Sequence, residues 1–468
     1  MIRNFTISDV SRLIRNGGSP SNQRARRLCV HAIQKALVAI DPSNCLTACL
    51  KLDHERIIIR NLSLSISDFS HINIIAVGKA SVPMMDTALG LLNKHNVSGI
   101  LVAPKGEKIP SFDSRVEIFQ AGHPLPDEEG FRAARRVIAM LSTMRPNDLL
   151  ICLISGGASA LLPAPVDSIT LKDKRRLTEE LIRTRATIHE INTVRRHISA
   201  LKGGRVVEKC AASAIISFII SDVAGNTLHD IASGLTAPDP TTYSDAVQIL
   251  RKYNIWGKIP RNVKQHLQRG LAGIIHETPK PTSPIFDRVH NFIIADNRYA
   301  CVAAKSALEA RNVPTKILTS QADMEAKSLG KLLASIGVSS KVFREPIRDS
   351  GAIIVGGETT VNVVGNGQGG RNQHTALSAL IDIEGQSGIA IAAFGTDGID
   401  GNSPAAGAIV DGNSGKRARR RKVDPQEFIA RSDSFHFFKK LNDNIITGRT
   451  GTNVGDIYIT VKVDKLRA

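Results

Sequence analysis

Two nearly continuous apolar segments constrain the fold of this chain more than any other feature. Leu149–Ile154 and Ile215–Ile220 are short and almost continuously apolar, which is typical of strands that are buried on both faces of a parallel sheet. Other short apolar segments alternate with stretches of helical periodicity, and this alternation predicts βαβ units. The predicted fold class is α/β, with two Rossmann-like α/β domains and an interdomain cleft.

The predicted elements fall into two groups along the 468 residues. An early helix covers the apolar positions between Ala25 and Leu37, and periodicity fades between Arg269 and Asp287, where three prolines lie close together. That stretch predicts a linker. We therefore expect an N-terminal domain over residues 1–285 and a C-terminal domain over 286–468. The remaining predicted strands are Asn73–Val77, Ile100–Ala103, Phe292–Ala295, Thr315–Leu318, Ala352–Val355, Val361–Val364, Ile389–Phe394 and Tyr458–Val463.

The net charge of +18 is compatible with nucleic acid, an anionic membrane or small acidic substrates as partners. The densest basic run, residues 416–422, lacks the interleaved aromatic residues that stack on bases. We therefore interpret it as a solvated helix or loop and expect no nucleic-acid partner. Arg24, Arg26 and Arg27 are interpreted in the same way, as the exposed face of the early helix.

The lengths of the apolar runs and the spacing of the cysteines indicate the cellular compartment of the protein. The longest apolar runs are far below the ~18 residues that span a bilayer, and the first ten residues lack the apolar core of a signal peptide. The six cysteines are scattered without a C-x-x-C pair, which favours reduced thiols and a cytoplasmic protein. Neither the cysteines nor the thirteen histidines have the spacing of zinc ligands.

The segment 356–373 combines six glycines with Glu358 and Arg371. Glycines allow close backbone approach to a ligand, and a turn that begins a helix offers free N–H groups to an anion. We expect Gly365, Gly367, Gly369 and Gly370 to bind nucleotide or phosphate, with Arg371 as a fixed charge. Two alternatives remain: a structural glycine turn, and an NAD site, because Gly365, Gly367 and Gly370 spell G-x-G-x-x-G. The acidic residue that this fingerprint requires at the end of the next strand is missing, since Asp397 lies too far along.

Three predicted strands end in residues that can carry chemistry. Lys79 follows the first strand in VGKAS, although the upstream glycine of a phosphate-binding P-loop is missing. Ser155, Gly156 and Gly157 follow the second, and their amides and hydroxyl can bind a carboxylate or phosphate. Asp222 follows the third. Because ligands gather at the carboxyl ends of parallel strands, these residues converge if the strands are neighbours. The alternative for Lys79 is an ordinary surface lysine.

Four carboxylates are candidate ligands for Mg²⁺, which takes one or two carboxylates together with phosphate oxygens. They are Asp222, Glu358, Asp397 and Asp400. The segment 192–205 carries five basic side chains, and we expect Arg195 to bind substrate; an ordinary cationic helix that ends at a glycine is the alternative. His123 is interpreted as a loop organiser.

Eight segments in order resemble the glycerate 2-kinase family, in which a kinase region precedes a MOFRL domain. They are VGKAS, AGHPLPDEEG, LISGGASALLP, INTVRRHISALKGGR, ISDVAGN with IASG, GGETTV with GGRNQ, FGTDGIDG and GTNVGD. The resemblance covers about Ala25 to Val463. It implies transfer of a phosphoryl group from ATP to the 2-hydroxyl of D-glycerate with a divalent metal. It also implies that Lys79 and Arg371 are the catalytic lysine and the key arginine of the family.

Five positions differ from the residues that are usual in this family. They are Asn226 for Asp, Leu235 for Pro, His374 for Glu, Pro404 for Asp and Gly455 for Asn. We expect a sugar-acid kinase that uses ATP and Mg²⁺, works as a monomer or homodimer, and employs Asp222 as a metal ligand or proton acceptor. The alternatives are an NAD(P)-dependent hydroxypyruvate reductase and a catalytically impaired relative with a binding role.

Overall fold

The computed structural model describes residues 6–184 and 186–464. They form two compact units. One, which we call the middle unit, is Pro42–Ile294. The other, which we call the terminal unit, combines residues up to Asp41 with those from Ala295 onward.

The elements are numbered along the chain. The helices are α1 (Val10–Arg15), α2 (Pro20–Ala39), α3 (Pro42–Cys49), α4 (Ser81–Leu91), α5 (Glu128–Thr143), α6 (Ala158–Leu161), α7 (Leu171–Arg183), α8 (Ile188–His197), α9 (Arg205–Glu208), α10 (Tyr243–Lys252), α11 (Arg261–Leu271), α12 (Asn297–Glu309), α13 (Ala326–Val342), α14 (Arg371–Asp382), α15 (Ser414–Arg420), α16 (Pro425–Ala430) and α17 (Ser434–Leu441). The strands are β1 (Leu50–Asp53), β2 (Arg56–Ile59), β3 (Leu62–Ser65), β4 (His71–Val77), β5 (Val97–Pro104), β6 (Val116–Ala121), β7 (Asp148–Ser155), β8 (Ala214–Ile220), β9 (Val289–Ala295), β10 (Thr315–Ala322), β11 (Gly351–Gly357), β12 (Ile389–Gly395), β13 (Gly407–Asp411), β14 (Asn444–Ile445) and β15 (Asp456–Lys462).

The middle unit is built on a six-stranded sheet in the order β6-β5-β4-β7-β8-β9. The pairings from β6 to β8 are parallel, and every residue of β7 and β8 is buried. The prediction from the two apolar segments is confirmed. This strand order matches that of a doubly wound dinucleotide-binding fold. In such a fold the direction of winding reverses at one point, which here lies between β4 and β7.

The terminal unit has a mixed six-stranded sheet in the order β10-β11-β15-β12-β13-β14. Strands β10 and β11 are parallel, whereas β15 pairs antiparallel with both β11 and β12. The doubly wound parallel order therefore describes the middle unit, and the terminal unit is α/β with a mixed sheet because the last strand of the chain inserts between two earlier ones.

The division of the chain differs from the predicted boundary after residue 285. Strand β9, which was expected to begin the second domain, is the sixth strand of the middle unit's sheet. The early helix α2 belongs to the terminal unit, where it packs against α12, β12 and β15. Burial explains this placement, because the apolar face of α2, from Ala25 to Leu37, covers the terminal sheet.

Two further expectations fail against the structure. Arg26 is fully buried rather than on an exposed helix face, because it meets two buried carboxylates, Asp411 and Asp443. Val361–Val364 forms no strand, and Val363 and Val364 are exposed.

The basic run 416–422 is confirmed as largely exposed and lies on and after α15. Within the described residues, no helix is both long and apolar enough to cross a bilayer.

Candidate active site

The carboxyl ends of β4, β7 and β8 lie side by side, as the convergence of Lys79, Ser155 and Asp222 requires. Val77 is opposite Ile154 in the register of β4 and β7, and Ser155 is opposite Ile220 in that of β7 and β8. Lys79 follows β4 by two residues, Gly156 and Gly157 follow β7, and Asp222 follows β8 by two residues. The loops after β4 and β7 form the point where the winding of the sheet reverses, which is where ligands bind in this architecture.

Backbone contacts fix the loops after β4 and β7 to each other. The Lys79 N–H donates to the carbonyl of Gly156 at 2.9 Å. The Ala80 N–H donates to Ser155 Oγ at 2.9 Å, and Ser155 is fully buried. At Gly78, where φ is +123°, a Cβ would lie 2.2 Å from Ser155 Oγ. The Ser155 hydroxyl thus holds the two loops together, a structural role that the sequence did not reveal.

Lys79 and His123 both pack against Gly157. A Cβ at Gly157, where φ is +89°, would lie 3.0 Å from His123 Cδ2, 3.1 Å from its Nε2 and 3.7 Å from Lys79 Cγ. The imidazole and the stem of the lysine therefore meet at one glycine. His123 is exposed, so it is a further polar group at this site, beyond the role of loop organiser that the sequence suggested.

The consecutive arginines of α8 have different environments. Arg196 is buried and pairs with two buried carboxylates, Asp230 at 3.2 Å and Asp239 at 2.9 Å. Arg195 is half-buried, and among the described residues its side chain has no ion pair or hydrogen bond. Burial lowers the pKa of Arg195. Its guanidinium is therefore the one of the pair that is available to an anion.

In the terminal unit, Arg371 is held by two carboxylates. Its Nε contacts Asp456 at 2.5 Å, and its Nη1 contacts Glu358 at 2.7 Å. Burial opposes the charged form, but the charges of Asp456 and Glu358 outweigh it and raise the pKa of Arg371. Asp456 begins β15 and is opposite both Gly357 and Gly395, so it places the arginine between the ends of β11 and β12. The sequence did not identify Asp456.

The amino end of α14 is already occupied by a carboxylate of the protein. Asp400 accepts hydrogen bonds from the N–H groups of Asn372 at 3.0 Å and Gln373 at 2.8 Å. Burial raises the pKa of Asp400 to about 6. These helix-terminal N–H groups are therefore used by Asp400, which also removes Asp400 from the exposed carboxylates that could bind Mg²⁺.

The glycines before α14 have a packing explanation. A Cβ at Gly367 would lie 2.4 Å from the carbonyl oxygen of Arg431, one at Gly369 2.2 Å from Ser434 Oγ, and one at Gly370 2.3 Å from Asp400. Gly365 is less crowded, at 3.4 Å from Arg431. These contacts support the structural turn as one reason for the glycines. The strand positions disfavour the NAD site. The fingerprint must follow a strand directly, whereas β11 already ends at Gly357.

The candidate metal ligands differ in availability. Glu358 is 52% exposed, and Asp222 and Asp397 are half-buried. Asp397 accepts a hydrogen bond from the Ile399 N–H at 3.1 Å. Among the described residues, no three His, Cys, Asp or Glu side chains form a group that could hold a metal by themselves.

Comparison with known proteins identifies the family. A family model described as a domain of unknown function, DUF4147, matches residues 28–268, and the MOFRL family matches residues 351–456. A glycerate 2-kinase from Pyrococcus horikoshii is 36% identical over 441 residues, covering 94% of this chain and 98% of the relative. The crystal structure of a glycerate kinase from Thermotoga maritima has a TM-score of 0.81 at 35% identity and covers 93% of this chain and 99% of its own.

The chain belongs to the glycerate 2-kinase family. One relative carries another name: a protein from Agrobacterium vitis, provisionally named hydroxypyruvate reductase, is 38% identical over 386 residues, covering 82% of this chain and 85% of the relative. The family membership confirms the resemblance that the eight sequence segments indicated.

The departures from the family pattern fit their local structure. Leu235 is part of the apolar core of the middle unit, and His374 is buried in α14, where burial lowers its pKa. Gly455 has a φ of +84°, and Asn226 has a φ of +57°; glycine and asparagine are the residues that adopt this conformation most readily. Pro404 is exposed.

Proposed function

We propose that this protein is an ATP-dependent kinase that phosphorylates the 2-hydroxyl of D-glycerate to give 2-phosphoglycerate. The observation that carries the proposal is the junction of the loops after β4 and β7, where Lys79 packs on Gly157 at the reversal point of a doubly wound sheet. Membership of the glycerate 2-kinase family supports the choice of reaction. The proposal includes a cytoplasmic location and a monomeric or homodimeric state.

Phosphoryl transfer needs positioning and charge stabilisation more than covalent chemistry. Lys79 supplies a compact charge for the transferring phosphoryl group, because its backbone is fixed by Gly156 and its stem by Gly157. Gly156 and Gly157 place backbone amides at the same loop, where they can bind an oxyanion. Asp222, at the end of the neighbouring strand, is proposed to accept the proton of the hydroxyl or to bind the metal.

Arg371 is proposed to stabilise charge on the phosphates. Asp456 and Glu358 fix its guanidinium, and an arginine held in one orientation loses less freedom when it binds a phosphate. We also propose that the loop of Gly365, Gly367, Gly369 and Gly370 contributes to nucleotide binding. We predict that Lys79 of the middle unit and Arg371 of the terminal unit act in the same reaction.

Magnesium is part of the proposal, and the residues present fit it by type. Mg²⁺ needs only one or two carboxylates when phosphate oxygens and waters complete its shell. Glu358 is 52% exposed although it pairs with Arg371, and Asp397 and Asp222 are half-buried, whereas Asp400 caps α14 and the buried Asp456 is held by Arg371. A bound Mg²⁺ would neutralise charge on the phosphates of the nucleotide.

A reductase is the second candidate, because of the name of the Agrobacterium vitis relative and because the middle sheet has the strand order of dinucleotide-binding folds. In such folds the first βα turn carries the glycine fingerprint. Here that turn begins Gly78-Lys79-Ala80-Ser81, and Ala80 and Pro83 stand where the second and third glycines of the fingerprint would be. This difference favours the kinase.

One pair of assays separates the two functions. Release of ADP from Mg-ATP that depends on D-glycerate supports the kinase, and omission of Mg²⁺ with a chelator serves as the control. Oxidation of NADH or NADPH in the presence of hydroxypyruvate, with no release of ADP, would replace the kinase by the reductase. Absence of both activities would leave a binding role for this member of the family.

A further inference from the structure

Three basic side chains in the middle unit form a cluster without a carboxylate. Lys174 lies in α7, Arg195 in α8, and Lys202 in the turn after α8. Helix α7 packs against α8, and burial together with the neighbouring positive charges lowers the pKa of both lysines. Within the described residues, none of the three forms an ion pair. We call Lys174, Arg195 and Lys202 the cationic cluster.

The two lysines of the cationic cluster are buried with their hydrogen-bonding capacity unfilled. Lys174 is 2% exposed, and its Nζ has no hydrogen-bond partner in the described structure. Lys202 is 0% exposed, and its Nζ donates one long bond of 3.4 Å to the carbonyl of Ala232. An ammonium group has three donors. Burying such a group without partners is costly, and a bound anion would offset that cost.

The neighbouring Arg196 shows how this region satisfies a cation whose role is structural. Its guanidinium meets Asp230, Asp239 and the carbonyl of His229. The same group of elements therefore supplies buried carboxylates to Arg196 and none to the cationic cluster. Packing requirements alone do not account for that difference, because an apolar side chain would fill the space of Lys174 at no electrostatic cost.

Hydrogen bonds connect the cationic cluster to the loop that carries Gly157. The carbonyl that accepts from Lys202 belongs to Ala232, and the next residue, Ser233, shares a hydrogen bond of 2.8 Å with Ser159. Ser159 follows Gly157 by two residues, and Gly157 contacts the stem of Lys79. The N–H of Gly203, beside Lys202, also donates to the carbonyl of Ser233 at 3.1 Å.

The charge of the cationic cluster suits a monoanion. Burial lowers the pKa of Lys174 to about 7 and that of Lys202 well below its usual value, whereas arginine stays charged at neutral pH. Arg195 therefore supplies at least one fixed positive charge to the cationic cluster. A carboxylate matches it, and the lysines can take up protons as the anion binds.

We propose that Lys174, Arg195 and Lys202 bind the carboxylate of the hydroxy acid that accepts the phosphoryl group. The substrate must then be an acid, and the neutral analogue glycerol is excluded. The inference rests on the proposed function for the identity of that acid, and it adds Lys174 and Lys202 to Arg195 as residues that determine specificity.

Calorimetric titration of the full-length protein without nucleotide tests this inference. The ligands are D-glycerate and glycerol, and the variants are Lys174→Met, Lys202→Met and the control Lys172→Met, whose lysine is exposed on the same helix. Removing one cation should raise the dissociation constant for D-glycerate by about 10- to 100-fold, the range for a lost charge-assisted hydrogen bond. The control should bind D-glycerate like the wild type, and glycerol should not bind to any form.

Two further readouts separate binding from structure. D-glycerate binding to the wild type should take up protons, which titrations in two cationic buffers with different heats of ionisation, Tris and triethanolamine, detect; Lys174→Met should take up fewer. The KM for Mg-ATP should stay within twofold in the variants. The melting temperature of Lys174→Met should equal or exceed that of the wild type, because an unpartnered buried amine has been removed.

An unchanged dissociation constant for D-glycerate in both lysine variants would overturn the inference, as would a change confined to the KM for Mg-ATP. These results leave the proposed function intact if the wild type still phosphorylates glycerate. Conversely, weakened binding of D-glycerate in the variants of a protein that shows no kinase activity would support the inference and refute the proposed function.

Discussion

Arg195 and Arg196 are neighbours in α8 and differ only in what surrounds them. Arg196 has two buried carboxylates, and Arg195 has none among the described residues. Arg196 therefore stabilises the packing of its own unit, whereas Arg195 is available to a ligand. Lys79 differs from the exposed lysines by its position on a strand-end loop whose backbone is fixed by the carbonyl of Gly156.

Lys79→Met tests the role proposed for this lysine. We expect kcat for glycerate phosphorylation to fall by about two orders of magnitude or more, the scale of losing one donor to a transition state. The variant should remain folded, because methionine keeps an aliphatic side chain that can pack on Gly157. Steady-state kinetics and urea unfolding measure both. Lys94→Met, at an exposed position, is the control, and turnover near that of the wild type in Lys79→Met would contradict the assignment.

The sequence predicted the residues that follow strands and missed their partners. Lys79, Gly156, Gly157 and Asp222 could be placed because parallel strands end at the same edge of a sheet. Asp456 could not, because its contact with Arg371 depends on β15 pairing with β11 across about a hundred residues. Nor does a glycine in the sequence reveal whether a ligand or another loop approaches it. At Gly367 the neighbour is the backbone of Arg431.

Helix α2 shows how a basic segment becomes part of a core. Arg26 donates to Asp411 and Asp443 and to the carbonyl of Leu13 at 2.8 Å. Asp443 also accepts from Arg417 of α15. These contacts join α2 to strands and helices of the terminal unit, and the periodicity of the helix gave no sign of them because arginine is rarely buried.

Arg26→Ala should lower the free energy of unfolding of the terminal unit by about 3–5 kcal/mol, the cost of leaving buried charges without a partner. Arg27→Ala, one residue further and exposed, should change it by less than about 0.5 kcal/mol. Denaturant unfolding of the two variants measures the difference. Equal stabilities would show that the network of Arg26 with Asp411 and Asp443 contributes nothing.

Glu277 connects α8 to the start of α10, since it accepts from His197 at 3.3 Å and from the Tyr243 N–H at 2.8 Å. Burial opposes its charged form, but hydrogen bonds from His197, Tyr243 and Lys280 outweigh burial and lower the pKa of Glu277 from 4.5 to about 2. The folded pKa lies below the unfolded one. The stabilisation is therefore complete above pH 4.5 and is lost as pH falls toward 2.

Glu277→Gln should accordingly be less stable than the wild type at pH 7, and the difference should shrink between pH 4.5 and pH 2. Urea midpoints measured across that range give the result. Glu179→Gln, at an exposed position of α7, should follow the wild type at every pH. A constant difference between Glu277→Gln and the wild type would show that the carboxylate does not titrate with a lowered pKa.

At the scale of the whole molecule, the sequence indicated two α/β units and most of their strands but misplaced the division. Strand β9 looks like the start of a new domain because it follows a proline-rich stretch, yet it completes the sheet of the middle unit. The terminal unit is assembled from both ends of the described chain. Local periodicity identifies an element but does not specify the sheet that it joins, because pairing is decided by contacts far apart in sequence.

This division predicts the behaviour of fragments. Residues 42–294 expressed alone should unfold cooperatively, because the fragment contains a complete sheet. Residues 295–468 alone should not, because the surfaces of α12 and β12 that α2 covers would face water. Adding a peptide of residues 1–41 should restore a cooperative transition, as followed by circular dichroism. A cooperative transition of residues 295–468 without the peptide would contradict the two-unit description.

The central claim is that the phosphoryl group is transferred to the 2-hydroxyl of D-glycerate. Phosphorus NMR of the product formed from Mg-ATP and D-glycerate tests it directly. A phosphate on C2 couples to one proton, and the account predicts a doublet that forms about a hundredfold more slowly with Lys79→Met. A triplet, which a phosphate on C3 gives by coupling to two protons, or the absence of any phosphorylated glycerate would contradict the account.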